Sequence, residues 1–145
     1  EDHNPETHLV PLLLEAASGD RDAIIVFGTD YETPDGTCVR DYIHVTDLAK
    51  AHVLALKALE RGLEYCAFNL GNGHGYSVRE VIGAVERVTG RSVPVRFGER
   101  RSGDPARLIS NSAKAARQLQ WSPQFVHLDD IITTAWRWHR RHAQD

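Results

Sequence analysis

The chain has 145 residues, of which 41% are apolar and 26% are charged, the composition of one ordinary globular domain. A formal net charge of −3 provides no positive field for nucleic acid or anionic lipid, so neither is expected as a partner. The apolar runs LVPLLL and AIIVF are too short to cross a bilayer, and we find no secretory signal. We therefore expect a cytoplasmic protein.

Two features of the composition concern the origin and redox state of the chain. It contains no methionine and begins with Glu1, which predicts that it is a portion of a longer translation product. Its two cysteines, Cys38 and Cys66, are too few for a disulfide framework, and we expect free thiols.

The first half of the chain predicts two helices and two strands. A helix with Leu9, Leu12 and Leu13 on one face stops near Gly19, and AIIVFG then reads as a buried strand. VRDYIHV predicts a second short strand that leads into a helix capped by Thr46 or Asp47. The apolar face of that helix is expected to contain Leu48, Ala51, His52, Ala55, Leu56 and Leu59.

The second half alternates strands and helices in the same way. CAFNLGNG predicts a strand followed by a glycine loop, and Ser77 and Glu80 have the spacing of a capping box at the start of a helix. VPVRF predicts a further strand, and residues 112–119 predict a short helix. The last helix opens with Asp129 and Asp130 and closes with basic residues, as the helix dipole favours.

No complete dinucleotide-binding fold is predicted. Such a fold requires G-x-G-x-x-G directly after its first strand, whereas the string GNGHG at 71–75 has the wrong spacing. The fold class expected is therefore a mixed α/β lobe with short strands, forming one domain over residues 1–145.

Two arginines lie beside acids in loop-like stretches. Arg40 precedes Asp41, and Arg101 is followed by Asp104. Two guanidinium groups from separate loops have the geometry to clamp a diphosphate, while a nearby carboxylate accepts from a sugar hydroxyl. The alternative is a pair of surface ion pairs worth ~0–1 kcal/mol, and spacing alone favours that alternative.

The aromatic residues and histidines also allow two interpretations. Phe27 ends the buried strand and either packs in the core or stacks on a ring of a ligand. His139 and His142 are one helical turn apart, but without a third ligand we expect no metal site. His44 and His52 are expected to be half-buried packing residues. Three tryptophans are expected to pack at the end of the chain: Trp121, Trp136 and Trp138.

No catalytic residue is predicted within the chain. The tyrosines are candidates for a Tyr-x-x-x-Lys pair, but none has a lysine four residues later. The four positions are occupied by Asp35, Thr46, Asn69 and Glu80.

Four stretches carry a resemblance that covers nearly the whole chain. They are HNPETHLVPLLLEAASG, VFGTDYETPDGTCVRDYIHVTDLAKAHVLAL, FNLGNGHGYSVREVI and RRSGDPARLISNSAKAARQLQWSP, and they resemble the UDP-glucose 4-epimerase family in family order. The resemblance implies the substrate-binding lobe of an extended short-chain dehydrogenase/reductase. The half that binds NAD, with its glycine-rich loop and its Tyr-x-x-x-Lys pair, would lie upstream of Glu1.

The resemblance also assigns seven substrate-binding positions. Arg40 and Arg101 match the two arginines that neutralise the diphosphate, and Asp104 matches the acid that binds ribose. This implication reverses the preference for surface ion pairs. One departure is Arg107, which lies where some members have a longer stretch that limits N-acetylated sugars.

The remaining four positions of the resemblance are in the first 27 residues. His8 and Leu9 fall where the family contacts the diphosphate or the sugar, largely through backbone atoms. Ile25 and Phe27 fall where the strand meets uracil.

The implied function is UDP-glucose and UDP-galactose binding within an NAD-dependent 4-epimerase of galactose metabolism. The chain alone is expected to be inactive, to bind no NAD, and to associate with itself or with its own N-terminal fragment through an exposed apolar surface. Two alternatives remain open. One is a fragment of a related epimerase acting on UDP-arabinose or UDP-N-acetylhexosamine, and the other is a non-enzymatic binding module.

Overall fold

The structure is a computed structural model that describes residues 5–142. Within that range it has five α-helices and five short β-strands. These are α1 (Leu9–Ser18), β1 (Ile24–Phe27), β2 (Val39–Asp41), α2 (Val45–Glu60), β3 (Gly75–Ser77), α3 (Val78–Thr89), β4 (Val95–Gly98), β5 (Arg107–Leu108), α4 (Ala113–Leu119) and α5 (Leu128–His142). The predicted mixed α/β lobe is confirmed. No helix in the described range is long and apolar enough to cross a membrane.

Helices α1, α3 and α5 pack against β1 and form the main core. Leu13, Val81, Val85 and Ile132 are completely buried there. Helix α1 ends at Gly19, whose φ of 91° is the left-handed conformation that glycine adopts without strain. The chain can therefore turn directly from α1 into β1, and this turn places the two elements side by side at the cleft described below.

The start of α3 is fixed by the predicted capping box. The Ser77 hydroxyl accepts the Glu80 N–H at 3.1 Å, and the Glu80 carboxylate accepts the Ser77 N–H at 2.7 Å. Ser77 is also the last residue of β3, so this cap joins the helix to the sheet.

The strands form two small sheets. Strand β1 pairs in parallel with β4, with Ile24 opposite Val95 and Phe27 opposite Gly98. Strand β2 lies between β3, which is antiparallel to it, and β5, which is parallel. The predictions missed β3 and β5 because each is only two or three residues long.

The predicted strand CAFNL does not form. Residues 66–70 alternate between half-buried and exposed, the pattern of a strand, but no described residue pairs with their backbone in a ladder. Phe68 and Leu70 pack on the second core cluster, which α2 and α4 share with Trp121. A strand requires a neighbour to take its N–H and C=O groups, and the described residues supply none.

The predicted cap of α2 is wrong, and its predicted apolar face is right only in part. The N-cap is His44, whose Nδ1 accepts the Thr46 N–H at 3.0 Å and whose Nε2 lies 2.8 Å from the Thr134 hydroxyl. The His44 side chain is buried, with 6% exposure, whereas it was expected to be half-buried. The helix packs through Ala51 and Ala58 and leaves Leu56 58% exposed.

The structure tests the expectations about His52, the tryptophans and the cysteines. His52 is exposed on α2, not half-buried. Trp121 is buried as expected, whereas Trp138 is 54% exposed. No group of three metal-ligating side chains occurs among residues 5–142, although the side chain of His142 lies outside the described residues. Both cysteines are free thiols, as expected.

Candidate functional site

A cleft of about 440 Å³ opens between α1, β1, β2 and the loop that follows β4. Its size lies within the range of small-molecule sites. The structure brings six of the seven predicted substrate-binding residues into its lining: Leu9, Ile25, Phe27, Arg40, Arg101 and Asp104. The seventh, His8, is not part of the lining, although its neighbours Thr7 and Leu9 are.

His8 has a different local role in the structure. It is the N-cap residue of α1, and its ring nitrogen Nδ1 lies 2.8 Å from the Glu6 carboxylate, which also accepts the His8 N–H. Its assignment to the diphosphate or the sugar stays a prediction.

One wall of the cleft is a strand edge. Five consecutive residues, 23–27, line it, whereas the face of a strand would supply only alternate residues. Ile24 and Gly28 donate their N–H groups toward β4, at 3.0 and 2.9 Å. Because N–H and C=O groups alternate in direction along a parallel strand, those of Ile25 and Phe27 point away from β4, toward the cleft. The wall thus offers main-chain donors and acceptors at two positions.

The charged groups of the cleft are already in contact with one another. The Arg40 guanidinium bonds to the Asp104 carboxylate and, at 2.8 Å, to the carbonyl of Val39. The Arg101 guanidinium lies over the Phe27 ring. Asp104 therefore positions Arg40, which presents its remaining donors to the cleft, and Arg101 has an aromatic ring but no carboxylate beside it.

Arg100, which precedes Arg101 in the chain, anchors the loop after β4 on the side away from the cleft. The Nε of Arg100 donates to the Asp30 carboxylate at 2.6 Å, and its guanidinium lies 4.3 Å from the centre of the Tyr31 ring. The bond from Arg100 holds the pKa of Asp30 below its ordinary value. Adjacent arginines thus serve opposite sides of the loop, and only Arg101 faces the cleft.

Asp41 acts behind the cleft, not in it. Its carboxylate accepts the N–H groups of Asn72, Gly73 and Ser110 at 2.9, 3.0 and 3.2 Å. These bonds occupy the carboxylate, so Asp41 is not the sugar acceptor that its place beside Arg40 suggested. They also bring together the two loops that flank β2.

Nine lining residues were not predicted, and three of them have titratable side chains: Arg21, Cys38 and Tyr42. Burial raises the pKa of the Cys38 thiol and that of the Tyr42 phenol, so both groups are neutral at physiological pH. Arg21 bonds to the Glu15 carboxylate at 2.9 Å. A signal for two of them was available, because Cys38 and Tyr42 are two residues before and after Arg40 and so share its side of an extended strand.

The glycine string at residues 71–75 does not fit a dinucleotide. The glycine string at 71–75 directs the N–H groups of Asn72 and Gly73 to Asp41, so these groups are not free to hold a pyrophosphate. The string also follows no strand, as a dinucleotide loop would. This string therefore does not serve as a dinucleotide-binding loop.

Several known proteins are similar to this chain in sequence. The sequence profile of the NAD dependent epimerase/dehydratase family matches residues 1–71. A curated UDP-glucose 4-epimerase from Lacticaseibacillus casei is 51% identical over 144 residues, which are 99% of this chain and 44% of the relative. The chain thus spans less than half the length of that relative.

Solved structures show the same likeness. A crystal structure of UDP-glucose 4-epimerase is 53% identical with a TM-score of 0.94, over 99% of this chain and 44% of that chain. The Bifidobacterium longum UDP-glucose 4-epimerase, in complex with NAD+ and UDP, is 39% identical with a TM-score of 0.85, over 94% of this chain and 40% of that chain. The fold and its cleft are therefore those of part of an extended short-chain dehydrogenase/reductase. Within that class the chain is similar to UDP-glucose 4-epimerases, of which it spans less than half the length.

Proposed function

We propose that this chain is the UDP-hexose-binding part of an NAD-dependent UDP-glucose 4-epimerase of galactose metabolism. In this proposal residues 1–145 form its C-terminal domain, which binds UDP-glucose and UDP-galactose in the cytoplasm and is inactive alone. The observation that carries the proposal is the cleft, which gathers two arginines, an aspartate, an aromatic ring and a free strand edge. A nucleoside diphosphate can bind all of these groups: phosphate oxygens bind the arginines, ribose hydroxyls bind the aspartate, and the base binds the ring and the strand edge.

The uracil base would bind at the strand edge. The outward N–H and C=O groups of Ile25 complement the carbonyl and N–H of the uracil imide, and the Phe27 ring offers a stacking surface. Base–aromatic stacking is worth ~1–3 kcal/mol. This part of the cleft would therefore select the base.

The diphosphate and the ribose would bind next to the strand edge, at the two arginines and Asp104. Arg40 and Arg101 supply planar donors for phosphate oxygens, and charge-assisted bonds of this kind are about twice as strong as neutral ones. Asp104 accepts from the ribose hydroxyls while it holds Arg40 in place. Asp104 would thus orient Arg40, which binds the diphosphate, and would itself bind the ribose.

The catalytic groups would belong to the remainder of the parent. The string GNGHG lacks the spacing of a dinucleotide loop, and each tyrosine lacks a lysine four positions later. The chain would therefore bind and orient the UDP-hexose, and residues outside it would hold NAD and move protons. The relatives support this division, because the chain covers 44% of the L. casei enzyme and the B. longum enzyme was solved with NAD+ and UDP.

An unpaired surface supports the presence of a docking half. Leu56 and Leu59 are 58% and 54% exposed on α2, and the extended residues 66–70 have no strand beside them. An exposed apolar helix face and a stretch of unpaired backbone are both typical of a surface that packs against another domain. We propose that the NAD-binding half covers it.

A chemical protection experiment tests the binding proposal. Cys38 lines the cleft and Cys66 does not, so the two thiols form a matched pair in one chain. We expect UDP at ~10 mM to slow alkylation of Cys38 by N-ethylmaleimide at pH 8.5 and to leave Cys66 unchanged, as measured by mass spectrometry of peptides. Unchanged rates at Cys38, or equal protection of both thiols, would contradict the proposal.

A further inference from the structure

The loop segment that carries Arg101 is attached at both of its ends. On one side the Asp104 N–H donates to the Arg101 carbonyl at 3.3 Å, across a turn in which Gly103 has a φ of 79°. The Asp104 carboxylate also bonds to Arg40. On the other side, the preceding Arg100 is held away from the cleft. The direction of the Arg101 side chain therefore depends on these two attachments.

The attachment at Arg100 is made to the connection between β1 and β2, residues 28–38. Its Nε donates to the Asp30 carboxylate at 2.6 Å, and its guanidinium also donates to the Asp30 carbonyl and lies over the Tyr31 ring. A Cβ on Gly28, which has a φ of 82°, would lie 2.5 Å from the Tyr31 ring and 2.7 Å from Cγ of Arg100. The Arg100 stem thus packs directly on the backbone of Gly28.

This connection is itself bonded to the rest of the fold. The Asp35 carboxylate accepts from the Ser77 hydroxyl and from the N–H and hydroxyl of Thr37. The Tyr31 N–H donates to the Gly36 carbonyl at 3.0 Å, and the Tyr31 side chain is buried. Because Ser77 caps α3, the connection is tied to the start of that helix. It provides a fixed point for the loop after β4.

Arg101 has no comparable attachment of its own. Its side chain makes no hydrogen bond or ion pair with the described residues, and its guanidinium lies over the Phe27 ring, a weak contact at an exposed site. We propose that Asp30 is a positioning residue for the nucleoside diphosphate, because it holds Arg100 outside and thereby keeps Arg101 in the cleft. Asp30 does not line the cleft itself. This inference rests on the proposed function.

The proposal gives Asp30 an effect opposite to that of its charge. A carboxylate near an anion weakens binding by repulsion, so its removal alone should strengthen UDP binding. If Asp30 positions Arg101, its removal should weaken UDP binding instead, because the arginine spends less time where it can contact a phosphate. The sign of the change therefore separates the two roles.

The test compares Asp30→Ala with the unaltered chain, using protein-observed NMR titration with UDP and with uridine. We expect the Kd for UDP to rise about threefold to fivefold and the Kd for uridine to stay within a factor of two. Glu32→Ala is the matched control, because Glu32 is exposed in the same connection and carries the same charge. It should leave the Kd for UDP unchanged or lower. In an Arg101→Gln background, Asp30→Ala should no longer raise that Kd.

A second measurement needs no ligand. An aromatic ring shifts the NMR signals of protons above its face upfield, so the side-chain protons of Arg101 report its contact with Phe27. This upfield shift should shrink in Asp30→Ala and stay the same in Glu32→Ala.

The outcomes separate this inference from the proposed function. A Kd for UDP that stays the same or falls in Asp30→Ala, or an unchanged upfield shift of the Arg101 signals, would overturn the positioning role and leave the proposed function standing. A rise of the same size for uridine would also overturn it, because Asp30 would then act on the fold. If the unaltered chain gives no shifts with UDP at ~20 mM, both the proposed function and this inference are wrong.

Discussion

The guanidinium carbon of Arg101 lies 4.0 Å from the centre of the Phe27 ring. The two residues come from different elements, the loop after β4 and the end of β1, and both line the cleft. A cation over an aromatic ring contributes ~0.5–1 kcal/mol at an exposed site. In the ligand-free chain, the ring proposed for uracil is thus in contact with the arginine proposed for the diphosphate.

The contact between Arg101 and Phe27 leads to opposite expectations for two ligands. In Arg101→Gln, UDP should bind about tenfold more weakly because a charge-assisted phosphate contact is lost. Uridine should bind with unchanged or two- to fivefold higher affinity, because the ring no longer carries a cation that competes with the base. NMR titrations of both ligands provide the measurement. Arg117→Gln on α4 is the control, and weakening of both ligands by one factor would contradict the argument.

Asp35 should make part of the stability depend on pH. Burial pushes the pKa of Asp35 up, but bonds from Ser77 and Thr37 outweigh it and hold the pKa below its ordinary value. Because the folded-state pKa is lowered, the stabilisation is complete above the unfolded value of about 4 and is lost as the pH falls through the folded value. Asp35→Asn should therefore reduce the free energy of unfolding by ~1–3 kcal/mol at pH 7.

Thermal unfolding between pH 3 and pH 7 checks this expectation. The difference between Asp35→Asn and the unaltered chain should narrow below pH 4. The exposed Asp22→Asn is the control for the loss of one charge. A difference that is constant over the whole range would show that the carboxylate charge is not responsible.

Asp47 should be the most sensitive acid of the fold. It is completely buried, and its carboxylate accepts the N–H groups of Gln124 and Phe125 at 3.0 and 2.9 Å. Asp47→Ala leaves both donors unsatisfied and should destabilise the chain by about 3 kcal/mol. Urea denaturation gives the value. Asp47→Asn retains one acceptor oxygen and should lose less, so equal losses in the two variants would contradict this explanation.

The exposed side of α2 should cause self-association in the isolated chain. Leu56 and Leu59 are neighbours on one helix face and are both more than half exposed. We expect the weight-average mass from light scattering to rise with concentration, and the double variant Leu56→Glu, Leu59→Lys to reduce this rise. A monomer at all concentrations in the unaltered chain would contradict the expectation and favour a stand-alone module.

Local signals in the sequence predicted the local features of the fold. The box of Ser77 and Glu80 and the stop at Gly19 depend on residues within four positions of each other, and both are confirmed. The cap of α2 was missed because His44 is not one of the usual cap residues. A hydrogen bond with Thr134, 90 positions away, holds His44 at the start of α2, and no short stretch of sequence contains both residues.

The residues of the candidate site were predicted by another route than the elements of the fold. Spacing favoured surface ion pairs for Arg40 and Arg101, and only the resemblance to a family placed them in one site. The structure brings both into the cleft but leaves their role to experiment. The strand at residues 66–70 failed for a different reason, since its pattern is right but pairing depends on a neighbour that the described residues lack.

Because Arg100 and Arg101 make contacts on opposite sides of the loop, insertions and deletions before them have a specific consequence. Asp30 and Tyr31 hold Arg100 on the outer side of the loop, so Arg101 faces the cleft only because it is the next residue. Removing one residue between Phe97 and Arg100 would move Arg101 to the outer position and Ser102 to the cleft, and adding one residue before Glu99 would place Glu99 at the outer position. The length of this exposed segment is therefore more tightly constrained than the identity of most of its side chains.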